Sequence, residues 1–354
     1  MEKMIPVIIP AYEPDSNLPI LLGILAENNI GPVIVVDDGS GDKYAAIFEK
    51  AKALVAGNGG TVLVHEVNKG KGRALKTAFQ YILENYQDVI GAVTADSDGQ
   101  HTVDCIRKVM EALEAKPGEL ILGVRDFSGD DIPWKSRFGN NLTEKVFAYV
   151  AGVHVSDTQT GLRGIPREFM RDLLEVAGER FEFETQMLLE SVNRYPISEV
   201  EIETIYDSVE DHQTHFDPVA DSIKIYRILG KKFLKYIFAS FSSSILDLAL
   251  FSVFCFFLEG RYVSYVAVAT VLARIISAVY NYTINYKVVF KSKENVGKAS
   301  AKYFLLALVQ MGLSAALVSG AVMLLPFVPK VVVKGIVDTF LFFVSYHIQQ
   351  KFVF

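Results

Sequence analysis

Cysteine is nearly missing from this 354-residue chain: Cys105 and Cys255 are the only two, and they lie in regions of different character. That excludes a disulfide framework and a structural zinc site. An excess of basic charge is also lacking. Thirty-five Lys and Arg stand against 41 Asp and Glu, a net charge of -6, which argues against a nucleic-acid partner. The first residues, Met1-Glu2-Lys3-Met4-Ile5-Pro6, have no basic start and too short an apolar run for a signal peptide, so the first part of the chain is expected in the cytoplasm. Histidine is sparse, and none is placed as a compelling catalytic base; His101 reads as capping a loop and His154 as structural.

Long apolar runs are not lacking, but they are confined. Residues 1 to about 230 carry most of the acidic residues and read as a soluble α/β region. From about Tyr236 the chain turns into long apolar stretches with few charges. The expected organisation is 1–208 for the soluble domain, 209–234 for a basic amphipathic linker and 235–354 for a membrane domain.

The soluble part alternates short buried strands with helices. Strands are expected at 5–9, 33–36, 61–64 and 89–94, with helices over about 16–28 and 43–56 and a third opened by residues 68–74 and running to about 85. This alternation predicts a parallel sheet covered on both faces. Each strand ends in a polar cluster, and in open α/β folds that edge is where ligands bind. Tyr12, after the first strand, can stack on a base; Asp38, after the second, can accept hydrogen bonds from a base or ribose. Lys69, Lys71 and Arg73, interleaved with glycines at a helix start, suit a diphosphate. Asp96-Ser97-Asp98 follows the fourth strand, and two carboxylates this close suit Mg2+ or Mn2+ held jointly with phosphates. Each cluster has a plainer reading. Asp37-Asp38-Gly39-Ser40 is also a good turn and helix cap, and the lysine–glycine and Asp-Ser-Asp-Gly stretches also suit solvated loops. The four in succession favour a nucleoside-diphosphate site.

The linker carries Val219, Ile223, Tyr226, Leu229 and Phe233 at helical spacing, with Lys224, Arg227, Lys231, Lys232 and Lys235 among the remaining positions. It reads as lying on the cytoplasmic membrane surface, or else packing on the soluble domain with a solvated basic face. Four spans follow, at 236–258, 262–286, 303–327 and 331–348, the turn between the first two including Glu259-Gly260-Arg261. Lysines before the first span and between the second and third place those regions, and both termini, in the cytoplasm. Residues 281–290 resemble 345–354 at Tyr, Ile, Lys, Val and Phe, and Lys235-Tyr236 pairs with Lys302-Tyr303, so two hairpins repeat in the same orientation. Asp247, Arg274 and Asp338 fall inside spans. Ionisable groups there line a pathway or pair with one another: Arg274 as a lipid-phosphate contact is one reading, an Asp247–Arg274 pair the other.

Ile9-Pro10-Ala11-Tyr12, Val35 to Ser40, Asn68 to Gly72 and Asp96 to His101, in this order and spacing, resemble the family-2 glycosyltransferases of the GT-A fold, in the branch of dolichol-phosphate mannose synthases and polyprenyl-phosphate hexose synthases. Residues 235–354, with four spans and a repeated Lys-x-Val-Phe ending, resemble the GtrA family. The resemblance implies a GT-A (Rossmann-like) mostly parallel sheet with helices on both faces, then an all-α domain of four transmembrane helices. It places Pro10, Tyr12, Glu13 and Asp38 around the nucleoside, Asp96, Asp98 and Gln100 on the metal, and Ser97 beside the sugar nucleotide. Arg125 falls near the phosphates, Arg137 where an acceptor phosphate binds, and Asp157 to Arg163 in an acceptor-side segment.

Direct attack by a lipid phosphate, already anionic at neutral pH, needs no base and inverts the anomeric centre. The implied activity is transfer of a hexose from a nucleotide sugar to a polyprenyl phosphate in the bilayer of the cell membrane, for cell-envelope glycans. Tyr12-Glu13-Pro14 where the family reads Tyr-Asn-Glu, and Glu182 where mannose synthases are basic, favour a UDP-hexose over GDP-mannose. A lipid-linked-sugar transporter is the alternative. A polysaccharide synthase is disfavoured because the one tryptophan, Trp134, is not in a Gln-x-x-Arg-Trp element. Self-association into a homo-oligomer is left open.

Overall fold

A computed structural model describes residues 4–125, 134–192, 194–203, 220–259, 265–292, 294–325 and 327–354; within these, the side chains of 134–142, 220–226, 228–229, 267 and 331 are not described. The chain divides into two compact units, Met1–Ile228 and Leu229–Phe354.

The first unit begins with β1 (Val7–Ala11), α1 (Asn17–Glu27), β2 (Val33–Asp37), α2 (Ala45–Ala56), β3 (Thr61–Val64), α3 (Lys71–Asn85) and β4 (Gly91–Thr94). Then come α4 (Val103–Ala115), β5 (Leu120–Arg125), α5 (Trp134–Ala151), β6 (Arg163–Pro166), α6 (Arg167–Leu173), α7 (Glu182–Ser191) and β7 (Ile197–Ile202). Among the described residues the strands form one sheet in the order β3-β2-β1-β4-β6-β5-β7. The β3-β2-β1-β4 half is parallel, whereas β6 runs antiparallel to both β4 and β5. Both sheet faces are covered. Val7, Ile9, Ala11, Val33 and Val35 pack with leucines of α1, Phe48 of α2 and Ile106 and Val109 of α4. The alternate residues, Ile8, Ile34 and Val36, are equally buried and face the side of α3. Apolar residues on both faces of each strand are what the continuous Val/Ile runs encode.

The parallel register sets Ala11 beside Asp37 and Asp37 beside Val64, with Ile8 beside Thr94. The strand ends therefore finish close together, and the polar residues after them gather along one edge.

The second unit is helical: α8 (Ala220–Leu258, beginning before the unit boundary), α9 (Tyr265–Ile284), α10 (Val296–Leu324) and α11 (Lys330–Ile348). Residues 220–258 form one uninterrupted helix where the sequence suggested a surface helix followed by a separate span. The change of composition near Tyr236 carries no proline, and a single Gly230 does not stop a helix. Residues 209–219 of the expected linker, and Gly260 and Arg261 of the first turn, lie outside the described residues. The third helix starts seven residues before the expected Tyr303, because Asn295 caps it by accepting from the Gly297 and Lys298 N–H groups.

Among the described residues, Gly230–Leu258 and Val296–Leu324 are long and apolar enough to cross a membrane, and only 6% and 0% of their most apolar windows is buried. Phe238, Phe241, Leu248, Phe256 and Leu305 are all more than 60% exposed. A water-soluble bundle would bury such residues; a bilayer solvates them.

The repeat is built into the bundle. α9 and α11 each run into a π-helical turn, Asn285–Val289 and Gln349–Val353. Asn285 and Gln349, which begin these turns, are buried; Asn285 Nδ2 donates to Gln349 Oε1 at 3.3 Å, and the Phe290 and Phe354 rings stack at 5.0 Å. Tyr303 accepts from Asn281, and Tyr236 accepts from Gln349, so each hairpin holds the other. Arg274 pairs with Asp247 at 3.3 Å, and Ser277 donates to the same carboxylate. In the second hairpin Ser314 donates to Asp338 at 2.6 Å, and Lys334 pairs with it at 2.8 Å. Asp247 and Ser314 stand eleven residues after Tyr236 and Tyr303, and Arg274 and Asp338 seven before Asn281 and Ser345. The two hairpins thus carry a polar pair at matching positions.

Candidate active site

The loops after β1 and β2 are tied to each other. Asp37 Oδ1 accepts from the Ser40 N–H at 2.9 Å, and Ser40 Oγ accepts from the Glu13 N–H at 2.8 Å. That bond holds Glu13 in the left-handed region, at φ +47°, next to Tyr12. The Glu13 carboxylate hydrogen-bonds the Tyr12 hydroxyl, which with burial raises the phenol pKa. Pro10, next to last in β1, is half-buried.

Asp38 is tied to its own chain. It is 3% exposed, and its oxygens accept from the Lys69 N–H at 2.9 Å, the Gly70 N–H at 2.7 Å and face His65 Nδ1 at 2.7 Å. His65 Nε2 reaches Thr77 Oγ1 of α3 at 2.9 Å. Asp38 shapes the loop that delivers Lys71. Gly70 is needed in that loop: its φ is +100°, and a Cβ there would lie 2.5 Å from the Glu179 carbonyl oxygen.

Lys71 opens α3, and its ammonium sits 2.7 Å from Asp96 Oδ1 and 3.0 Å from Glu184 Oε1 of α7. Burial opposes the charge on Lys71, but the two carboxylates outweigh it and raise its pKa well above the ordinary lysine value. Burial likewise works against ionised Asp96; Lys71, His101 and Arg125 overcome it and bring its pKa down to about 2. Asp98 goes the other way, raised by burial and by the like charge of Asp96. The Asp98 carboxylate accepts from the Gln100 N–H at 3.0 Å, and Ser97 lies half-buried between the two acids. His101 is buried, its Nδ1 accepts from the Asp96 N–H at 3.2 Å, and burial lowers its pKa. It orients the acidic loop and has no free Nδ1 with which to act as a base.

The 157–163 segment closes over this pair. Thr94 Oγ1 donates to the Gly161 carbonyl at 2.7 Å. A Cβ on Gly161 would fall 2.1 Å from Asp96 Oδ2, so only glycine lets the backbone approach the carboxylate this closely. Asp157, fully buried, grips Arg125 through two bonds of 2.7 and 3.1 Å. Arg163 is 1% exposed and donates to the carbonyls of Thr158, Thr160 and Glu184, clamping the segment to α7. Asp157 and Arg163 therefore build the wall of the site. Arg137 belongs to α5, and its side chain lies outside the described residues.

Lys71, Asp96, Asp98, Gln100, Arg125 and Asp157 meet at the sheet edge, with Tyr12, Glu13 and the buried Asp38 in the adjoining loops. Glu184 and His65 were not singled out from the sequence. Their contacts with Lys71 and Asp38 span more than 25 positions along the chain, and no local pattern marks them.

The donor set fits a hard divalent cation. Asp96, Asp98 and Gln100 offer oxygens, and the repulsion that raises Asp98 is what a cation relieves. No group of three or more His, Cys, Asp or Glu suited to a metal occurs among the described residues. A metal here would take its remaining ligands from phosphate and water, as Mg2+ commonly does.

Residues 7–174 match the family described as Glycosyl transferase family 2, and residues 235–354 match the GtrA/DPMS transmembrane domain. A Methanococcus voltae protein named UDP-N-acetylglucosamine–dolichyl-phosphate N-acetylglucosaminyltransferase is 30% identical over 58% of this chain and 87% of its own length. The polyprenol monophosphomannose synthase of Mycolicibacterium smegmatis is 27% identical over 55% of this chain and 75% of its own. An Aeromonas hydrophila undecaprenyl-phosphate 4-deoxy-4-formamido-L-arabinose transferase is 27% identical over 49% and 52%. With its strand-end acids, its sheet covered on both faces and its exposed apolar helices, the chain belongs to glycosyl transferase family 2 and carries a GtrA/DPMS transmembrane domain after the catalytic unit.

Proposed function

We propose that this protein is an inverting transferase that moves a hexose from a nucleotide sugar, preferably a UDP-hexose, to a polyprenyl phosphate held in the bilayer, for cell-envelope glycans. The observation that carries the reading is the meeting of Asp96, Asp98 and Lys71 beside Arg125 at the end of β4, a set suited to a diphosphate leaving group. Three relatives whose names specify lipid-phosphate sugar transfer support the acceptor, and the relative named for UDP-N-acetylglucosamine supports the base.

A Mg2+ or Mn2+ ion held by Asp96, Asp98 and Gln100 would supply Lewis-acid stabilisation of the departing diphosphate. The remaining work falls to the chain. Tyr12 offers a ring to the base, and Glu13 and Pro10 flank it. Lys71 is placed to neutralise phosphate charge. Arg125, locked in orientation by Asp157, presents a fixed guanidinium face toward the acids. Arg137 is assigned to the acceptor phosphate. A phosphate monoester with a second pKa near ~6 is already a nucleophile at neutral pH. Catalysis then rests on alignment and charge stabilisation rather than on a base.

The basic residues flanking the helices, Lys231, Lys232 and Lys235 before the first and Lys287, Lys291, Lys298 and Lys302 between the second and third, support a cytoplasmic side for those ends. Four crossings then put the catalytic unit and both termini on that side. Competition between UDP and GDP for the donor pocket, read as inhibition of sugar transfer, tests the base. Stronger inhibition by UDP supports the reading; stronger inhibition by GDP replaces UDP-hexose with a GDP-sugar.

A further inference from the structure

Lys71 sits in a position at odds with a simple phosphate-binding role. Its ammonium is 2.7 Å from Asp96 Oδ1, one of the oxygens assigned to the metal, and it is held there from the other side by Glu184 at 3.0 Å. Lys71 is 18% exposed and Glu184 11%. The arrangement is built. Lys71 is fixed by the start of α3, whose preceding loop is gathered by Asp38 through the Lys69 and Gly70 N–H groups. Glu184 is fixed by α7, and its carbonyl is gripped by buried Arg163. The Gly161 backbone lies so near the other oxygen of Asp96 that a Cβ there would fall 2.1 Å from it. One cation is therefore already seated on Asp96 before any metal arrives.

We propose that Lys71 is an internal counter-ion that competes with the divalent metal for Asp96, so that metal and nucleoside diphosphate bind as a coupled pair. The proposal rests on the metal assignment made above. With no nucleotide, a divalent ion must displace a well-held ammonium. A diphosphate offers that ammonium a stronger anionic partner, draws it off Asp96 and opens the oxygen to the metal. Glu184 is a positioning residue in this scheme. It keeps Lys71 beside the site after Asp96 is given up, within reach of the phosphates. The consequence is an enzyme that holds little metal when no donor is present.

The test measures Mn2+ binding to the full-length protein in detergent by electron paramagnetic resonance, with no nucleotide and with saturating UDP or GDP. For the native chain, nucleoside diphosphate is expected to tighten Mn2+ binding at least about tenfold, and by linkage Mn2+ tightens nucleotide binding by the same factor. Lys71→Met is expected to bind Mn2+ tightly without nucleotide, and the enhancement falls to within about threefold, below the usual range of coupled sites. Lys71→Gln serves as a second variant, with circular dichroism and melting confirming the fold. Glu184→Gln is expected to weaken nucleotide-free Mn2+ binding, because the ammonium then rests on Asp96 alone.

Mn2+ that binds the native protein equally well with and without nucleotide overturns the proposal and leaves the metal assignment standing. Lys71 variants that tighten Mn2+ equally in both conditions show a general charge effect and also overturn it. If neither the native chain nor the Lys71 variants bind Mn2+ under any condition, the metal assignment fails and the proposal with it.

Discussion

Asp96 gathers more of the site than any other side chain: Lys71 on one oxygen, Gly161 against the other, and His101 on its backbone N–H. Asp96→Asn is expected to cut sugar transfer by about 10²-fold or more, the scale of losing one charge-stabilising group, while the circular dichroism spectrum stays unchanged. Its acid behaviour follows from its depressed pKa. The carboxyl titrates at about 2 in the folded chain against an ordinary 3.8. Its contribution to stability is therefore fully present above about pH 4 and is lost as the pH falls through about 2. Acid unfolding of Asp96→Asn should show a shallower decline across that window than the native protein; equal slopes would remove the Lys71–Asp96 pair as its cause. Asp38 predicts a different outcome. Asp38→Ala leaves two backbone N–H groups and an imidazole without their acceptor. The expected cost is about 3 kcal/mol of stability, a Tm lower by roughly 6–12 °C for a unit of this size, measured by thermal melting.

At the scale of elements, the loops and strand ends show what can be read from the chain and what cannot. Asp96 and Asp98 were legible because an apolar run stops at a pair of acids, and the strand period alone puts them at a sheet edge. Glu184 was not legible: it lies on a helix far along the chain, and only the fold brings it to Lys71. Asp38 was found at its strand end, but its bonds to the Lys69 and Gly70 N–H groups were not, since a strand-end acid looks the same whether it faces a ribose or its own backbone. The antiparallel β6 is only four buried residues, Arg163–Pro166, too short to announce its direction. In the helical unit Tyr, Lys and Phe gave away the repeat, whereas the Asn285–Gln349 bond needed the packed bundle to be seen. Two expectations follow. Gly161→Ala should displace the Asp96 carboxylate and lower transfer by about 10²-fold, as misplacements near 1 Å do, with a smaller effect on melting. Asn285→Leu and Gln349→Leu should each cost about 1 kcal/mol of bundle stability. The double variant should cost less than their sum, in unfolding titrations in mixed micelles.

For the whole molecule, the chain joins a GT-A catalytic unit to a helical unit whose apolar surface suits lipid. Among the described residues, two ion pairs lie inside the hairpins, Asp247 with Arg274 and Lys334 with Asp338. Pairing lowers the cost of placing them among hydrocarbon. A catalytic unit fused to such a bundle is suited to an acceptor that never leaves the bilayer. Proteoliposomes with the catalytic unit outward should transfer sugar to externally accessible polyprenyl phosphate, and protease added outside should end the activity. Transfer that survives external protease in these vesicles would contradict dependence of the reaction on the outward catalytic unit.

Transfer itself is the most direct test of the account. The purified full-length protein would be incubated with a panel of UDP- and GDP-sugars and a short polyprenyl phosphate, with products identified by mass spectrometry. The expected product is a lipid-phosphate hexose formed with release of one nucleoside diphosphate, dependent on Mg2+ or Mn2+ and lost in Asp96→Asn. No lipid-linked product from any donor, or full formation of it in the presence of a chelator, would contradict the account.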